Sequence, residues 1–414
     1  MYWTHLMVLG HHSRMTANAP FPSVERFPGL RRLGGDKRPF VHADAPGGTH
    51  VTDSVIEAMA NFQRESNANP HRVFATSLET AGMLQDTRAA FARFAGGDPE
   101  GIVFGANTTT LTWHFARAFQ QTLKPGDVIV CTQLDHDANV APWLDIAQRT
   151  GAEVRFVRLD PTTFELDLRS LESAADKRTR LIAFTRSSNL IGTTVSPEPF
   201  VEAAKATGAI TYADGVAAAA HFPLRQSYWG IDVQVCSPYK FFGPHMGVLS
   251  ASPRLLDRLS PDHVRAAPLA GPRRWETGMP PLASIAGLRA AIQYIREVGF
   301  TTIRGSEQAL LSHALDAIRS IRSVRLHGRD DTQGRETTFA LNVEGISPHV
   351  VARRLAAEGI FVSSGHNYAV ETVRALGLPL TEGVVRAGFV HYHTLEDIDR
   401  TFSALARIAE SARP

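Results

Sequence analysis

Lys240 is the residue on which chemistry in this chain would turn. It ends the run VQVCSPYK from Val233, inside a Ser-Pro-Tyr-Lys-Phe-Phe-Gly-Pro turn. An amine in an apolar, glycine-flanked turn is poorly solvated, which depresses its pKa and readies it to condense with an aldehyde. Upstream, the apolar run AITYA ends on Asp214. A carboxylate closing a buried strand must meet a cation or bear a large desolvation cost, and a protonated pyridine nitrogen is such a cation. Three more polar positions follow apolar runs in the same way. His136 follows DVIVCTQ, within LDHDANVAPW, where an imidazole can stack on an aromatic ring or exchange protons. Asn189 follows RLIAFTR, either as a donor to a ring hydroxyl or as a plain turn former. Thr108 and Thr109 follow GIVFGAN at the start of a helical pattern, either as helix caps or as the mouth of a phosphate cup built from free amides. An amine, a carboxylate, a stacking ring, a hydroxyl donor and a phosphate cup together describe a site for a phosphorylated aromatic aldehyde.

The elements that must position these groups can be read from the same runs. From residue 101 onward, short apolar β-branched stretches (GIVF, DVIVCTQ, EVRFVRLD, RLIAFTR, AITYAD, VQVC and MGVLSAS) alternate with helical patterns such as those over 167–176 and 197–207. That βαβ rhythm predicts an α/β fold with a mostly parallel sheet between helices, and ligands in such sheets sit beyond the carboxyl ends of the strands. After ETGMPP at 276 the rhythm changes to a long helical pattern and then to alternating segments such as TTFALNVEG and GVVRAGFV, which predicts a smaller C-terminal α+β domain. The expected boundaries are an N-terminal extension and packing segment over 1–39, a large cofactor-binding domain over 40–285 and a small domain over 286–414. Thr394 and Asp397 carry the spacing of an N-terminal capping pair for the final helix.

Composition limits the alternatives. A chain of 414 residues with 43% hydrophobic and 20% charged residues is that of an ordinary globular protein. Its 43 basic and 41 acidic groups leave a formal charge of +2, which gives no field for nucleic acid, and no run calls for a membrane. Cys131 and Cys236 both fall in expected buried strands, so a disulfide framework is not expected and a reducing cytoplasm fits. The first residues show no secretory signal pattern. His391 and His393 share a strand face, but zinc needs three or four ligands and no third is evident, so no metal is expected.

With these motifs in hand, the chain resembles the class V aminotransferases, and within them the cysteine desulfurase and selenocysteine lyase group, from about residue 40 to 410. NANPHR at 67 resembles that family's substrate-access segment, DHDANVAPW its histidine segment, YADG its aspartate motif and SPYKFFGPHMGVL its lysine motif; WETGMPP and VRAGFVHYHTLEDID also fit. The resemblance implies fold type I, a homodimer, pyridoxal 5'-phosphate held on Lys240, cofactor contacts from Ser237 and Tyr239, and a substrate site including Arg386, Asn69 and His71. A guanidinium fork such as that of Arg386 suits a substrate carboxylate. Several positions depart from the pattern. The mobile loop that carries the nucleophilic cysteine in desulfurases reads SSGHNYAVET here, with Tyr368 in the cysteine's place. Ala217 replaces a glutamine, Tyr239 a histidine and Met279 a threonine, so contacts to the cofactor differ in detail.

Without that cysteine no persulfide forms on the loop. The resemblance then implies β-elimination from a cysteine S-conjugate, giving thiol, pyruvate and ammonia, with Lys240 moving the α-proton and Tyr368 or His366 protonating the departing sulfur. Phe74, Tyr239 and Tyr368 suggest an aromatic pocket suited to a bulky conjugate. Alternatives are decarboxylating oxidative deamination of such a conjugate, aminotransfer, epimerisation, and a non-catalytic scaffold of the same fold. Retention of Lys240 and Asp214 speaks against the last.

Overall fold

The computed structural model describes residues 24–35 and 37–411; the expected extension over the first twenty or so residues lies outside them. Seven strands form one sheet: β1 (Ile102–Gly105), β2 (Val128–Thr132), β3 (Glu153–Val157), β4 (Thr179–Thr185), β5 (Ile210–Asp214), β6 (Val233–Cys236) and β7 (Gly247–Ala251). Their spatial order is β1-β7-β6-β5-β4-β2-β3. The expected strand runs are therefore all present, shifted or trimmed by at most three residues, and β3, β2, β4, β5 and β6 run parallel. β7 is antiparallel to both β6 and β1. It follows β6 after a short turn, with no helix long enough to carry the chain back to the sheet's other end, so it must return in the opposite direction.

The strands read as continuous apolar runs because the sheet is covered on both faces. On one face, helix Thr108–Gln120 and helix Ala141–Thr150 bring Phe115 and Trp143 against Tyr212 of β5, with ring centroids 5.2 and 5.0 Å from the tyrosine. On the other, Phe200 of helix Glu198–Thr207 stacks on Phe184 of β4 at 4.6 Å. Gly247 has no room for a side chain: a Cβ there would lie 2.3 Å from the Asn107 carbonyl carbon, so β7 can pass directly beneath the start of helix Thr108–Gln120.

The second sheet is antiparallel and contains β8 (Val324–His327), β9 (Thr338–Val343), β10 (Ser363–Gly365) and β11 (Val384–Gly388) in the order β10-β11-β9-β8. Helices Phe300–Ser320, Pro348–Ala357 and Leu395–Glu410 supply its apolar cover. The final helix opens with the expected pair: Asp397 N–H donates to the Thr394 hydroxyl at 3.2 Å and Thr394 N–H donates to the Asp397 carboxylate at 2.9 Å. Each satisfies an amide that the helix itself leaves unpaired. Segment 41–48 bridges to β11 at Asp44 and Gly388, and so carries Asp44, Pro46 and Gly47 to the edge where the two sheets meet. Among the described residues no helix is long and apolar enough to cross a membrane.

Candidate active site

Asp214 and Lys240 stand at the carboxyl ends of neighbouring strands. Asp214 closes β5, and Lys240 ends the 3₁₀ turn Pro238–Lys240 directly after β6. Asp214 is 5% exposed and accepts one hydrogen bond, from Val216 N–H at 2.8 Å. Burial pushes its carboxyl up to about 6, against the pull of the Val216 amide and Lys240. Burial likewise brings the Lys240 amine down to about 7, aided by the Arg386 guanidinium and opposed by Asp44 and Asp214. The amine donates to the carbonyls of Pro46 and Gly47, the latter at 3.0 Å. It also lies 4.9 Å from the centre of the Tyr239 ring, which stacks on His245.

Lys240 lines a cleft of about 800 Å³, together with His136, Asn189, Tyr239, Arg386 and the loop 364–368. That volume falls in the roughly 300–1,000 Å³ range of small-molecule sites. His136 lies four residues beyond β2, where Asp135 anchors the turn by accepting from Thr132 and from Asn139 at 2.7 Å. Its Nδ1 accepts from Ala138 N–H at 3.0 Å, and burial beside Lys240 and Arg386 lowers its pKa to about 4, leaving a neutral ring. That ring stacks on Tyr368, with centroids 5.3 Å apart.

Arg386 is buried in the middle of β11 rather than exposed at a strand end. Its Nη2 donates to Asp44 Oδ1 at 2.9 Å and its Nη1 to the Asn189 carbonyl at 3.1 Å, while its buried Nε has no partner. Asn189 donates its amide to the Asn367 carbonyl at 2.8 Å, and its Oδ1 is buried without a partner. Asn367 and Tyr368 hold left-handed backbone angles, φ 48 and 59, that non-glycine residues seldom adopt. The Asn189 bond and a 2.7 Å bond from Asp137 N–H to the Tyr368 carbonyl hold the loop in that shape. Tyr368 itself is 64% exposed, and its N–H donates to His366 Nδ1 at 3.0 Å.

Several expectations need correction. Neither Thr108 nor Thr109 is the helix cap: Asn107 accepts from Thr110 N–H at 2.8 Å, and the threonines form the first turn. Thr108 is buried and its hydroxyl bonds the Cys236 carbonyl and Ser237 Oγ, whereas Thr109 is exposed. Asn69 and His71 are exposed on the segment before helix Ala75–Ala95 and do not line this chain's cleft. Ala217 lines a smaller neighbouring notch instead of the cleft. His391 and His393 are committed to structural partners, Tyr294 and the His42 carbonyl. Sequence reasoning missed Asp44, although FVHAD is another apolar run ending in a carboxylate. It also missed His349, Ser364 and Thr381 on the cleft's outer wall, for which no local signal exists. Cys131 and Cys236 are fully buried, their thiols are pushed up by that burial, and neither lines the cleft.

Comparison with known proteins agrees with this architecture. The aminotransferase class-V family model matches residues 41–401. A cysteine desulfurase from Yersinia pestis (strain Pestoides F) is 32% identical over 409 residues, covering 94% of this chain and 98% of the relative. Among solved structures, the apo cysteine desulfurase of Thermococcus onnurineus NA1 superposes with a TM-score of 0.86 at 26% identity, covering 93% of this chain and 99% of that one. A cysteine desulfurase from Escherichia coli gives a TM-score of 0.83 at 26% identity, with 94% and 97% covered. The chain thus belongs to the class V aminotransferase family, as a cysteine desulfurase-like enzyme of fold type I in a family that works with pyridoxal phosphate.

Proposed function

We propose that this enzyme is a carbon–sulfur lyase that eliminates thiol from a cysteine S-conjugate, with pyridoxal phosphate held on Lys240. The observation that carries the reading is the composition of the cleft: Lys240, Arg386, His366 and Tyr368 line it, and neither of the chain's two cysteines does. Sulfur transfer to a loop cysteine therefore has no acceptor, whereas elimination needs only a base, a carboxylate anchor and an acid.

The residues present fit the cofactor. Asp214 is a buried carboxylate with no cationic side-chain partner at hydrogen-bond distance, as a pyridinium nitrogen would require. His136 offers a neutral ring face, and the amides at the start of helix Thr108–Gln120, with Ser237 beside them, suit a phosphate. When bound, pyridoxal phosphate supplies an aldehyde for the substrate amine and an electron sink for the carbon next to it. Lys240, with its amine near neutrality, removes the proton on that carbon as the carbon–sulfur bond breaks. Arg386 anchors the substrate carboxylate through its unpartnered Nε, in an orientation set by Asp44 and the Asn189 carbonyl. Tyr368 or His366 gives a proton to the departing sulfur, and the His136–Tyr368 stack forms one wall of the cleft.

The volume of the cleft and the polar outer wall of His349, Ser364 and Thr381 favour a conjugate larger than cysteine. Val73, Phe74, Leu78, Leu269 and Met279 are exposed, an apolar surface that favours a second copy of the chain as partner and would place Asn69 and His71 near its site. Two unpaired thiols suit a reducing cytoplasm. The test is the absorbance of the purified protein, followed by product analysis with S-substituted cysteines and a Lys240→Ala control. Thiol with pyruvate supports the lyase, aldehyde with carbon dioxide supports decarboxylating deamination, and a keto acid retaining the sulfur supports aminotransfer. A protein that stays colourless with added pyridoxal phosphate refutes the cofactor assignment.

A further inference from the structure

We propose that Glu336 is a positioning residue of the active site, coupled to Lys240 through one water held in the notch beside Ala217. The inference rests on the reading of Lys240 as the cofactor's anchor. Ala217, Asn189, Lys240, Ser187, His221 and Glu336 all line this one cavity of about 20 Å³. A single water needs roughly 10–15 Å³ and two to four polar partners. The Glu336 carboxylate, the buried and unpartnered Asn189 Oδ1, Ser187 and the Lys240 amine supply that number.

The Glu336 carboxylate is held by groups from two parts of the chain. Arg304, on helix Phe300–Ser320, donates to both of its oxygens at 3.2 Å. His221, on the segment after β5, places Nδ1 3.5 Å from Glu336 and 2.9 Å from Glu307. With His221 protonated, two carboxylates face one imidazolium and one guanidinium, and the cluster is neutral without a metal ion. Arg335 lies beside Glu336 with its guanidinium spent on the carbonyls of Arg329 and Thr338, and His391 lies beside His221. This balance explains why His221, Glu307 and Arg304 are there. It does not explain why Glu336 shares a wall with Lys240. Burial raises the Glu336 carboxyl to about 7 against the pull of His221 and Arg304. Burial by itself would lower His221, but Glu307 and Glu336 outweigh it and hold the imidazole at about 9. Between these values the pair is ionised, and Glu336 and Lys240 stand on the walls of the same notch.

An anion there makes the Lys240 nitrogen hold its proton to higher pH, and the water carries the contact. The experiment is a pH titration of the bound cofactor's yellow absorbance in wild type, Glu336→Gln, Ala217→Gln and the double variant. Glu336→Gln is expected to lower the midpoint, and Glu336→Asp to restore most of the shift. Ala217→Gln fills the notch with an amide, so it lowers the midpoint on its own and leaves Glu336→Gln less than half its effect. An unchanged midpoint in Glu336→Gln, with only a lower melting temperature, overturns the proposal. So does an unchanged midpoint in Ala217→Gln, which decides the matter if Glu336→Gln fails to fold. A high-resolution crystal structure of the cofactor-free protein separates this idea from the one beneath it. A water bridging Glu336 and Asn189 supports the notch even if the protein proves colourless, and a dry notch refutes it even if the protein is yellow.

Discussion

Replacing Asp214 by asparagine should make the cofactor-free protein more stable and the cofactor-bound protein weaker. The folded carboxyl titrates at about 6 in place of its ordinary 3.8, because burial outweighs the Val216 amide and Lys240. At about 1.4 kcal/mol per pH unit, ionising it in the fold costs about 3 kcal/mol. The sign follows from linkage: between pH 3.8 and 6 the folded state holds a proton that the unfolded state has released, so stability falls as pH rises through that window and the loss is complete above it. Asparagine keeps the oxygen that accepts from Val216 at 2.8 Å and carries no charge. Urea unfolding of cofactor-free protein should therefore find Asp214→Asn more stable by up to about 3 kcal/mol at pH 8, less the cost of burying an extra amide, with a smaller gain at pH 4. The same charge is what a pyridinium nitrogen needs, so cofactor affinity should fall about 100-fold, the equivalent of about 3 kcal/mol. A variant equally destabilised at both pH values, with cofactor affinity intact, would refute the argument and leave Asp214 a structural residue. The site trades stability for binding.

Other outcomes follow from single contacts. Acylation of Lys240 in cofactor-free protein, followed by mass spectrometry, should show half-maximal reactivity near pH 7, far below the ordinary value of a lysine amine, and Asp44→Asn should move it lower by removing an opposing anion. Arg386→Lys should raise KM for any amino-acid substrate by more than tenfold with a smaller effect on kcat, because a lysine cannot reach Asp44, the Asn189 carbonyl and a carboxylate together. Tyr368→Phe keeps the stack on His136, so urea unfolding should place its stability within about 0.5 kcal/mol of wild type, while kcat for thiol release drops about 100-fold if the phenol is the acid. Thr394→Ala should cost about 1 kcal/mol in unfolding by removing a helix cap, and leave steady-state kinetics unchanged.

The order of strands and helices was legible because each is specified by its own residues: apolar runs for two-sided strands, amphipathic spacing for helices, Thr394 with Asp397 for a helix start. Asp214 and Lys240 were legible for a related reason, since polar residues that end apolar runs must fall at the sheet's carboxyl edge. The antiparallel return of β7 was not, because pairing direction depends on how much chain lies between strands rather than on their composition. Asn69 and His71 carried a motif, but whether a segment reaches the cleft depends on long-range packing, and in this chain they stand exposed outside it. Thr108 and Thr109 sat at the right turn, yet one residue's difference in where the helix begins gave the cap to Asn107.

The sequence by itself therefore determined the family, the layers and the amine–carboxylate pair, all of which are written in contiguous segments. Only the tertiary structure decided what those groups feel. Arg386 meets Asp44 across 342 positions of chain, Asn189 meets Asn367 across 178, and His221 meets Glu307 across 86. Protonation depends on burial and on charges brought from remote segments, and neither can be read from neighbours along the chain.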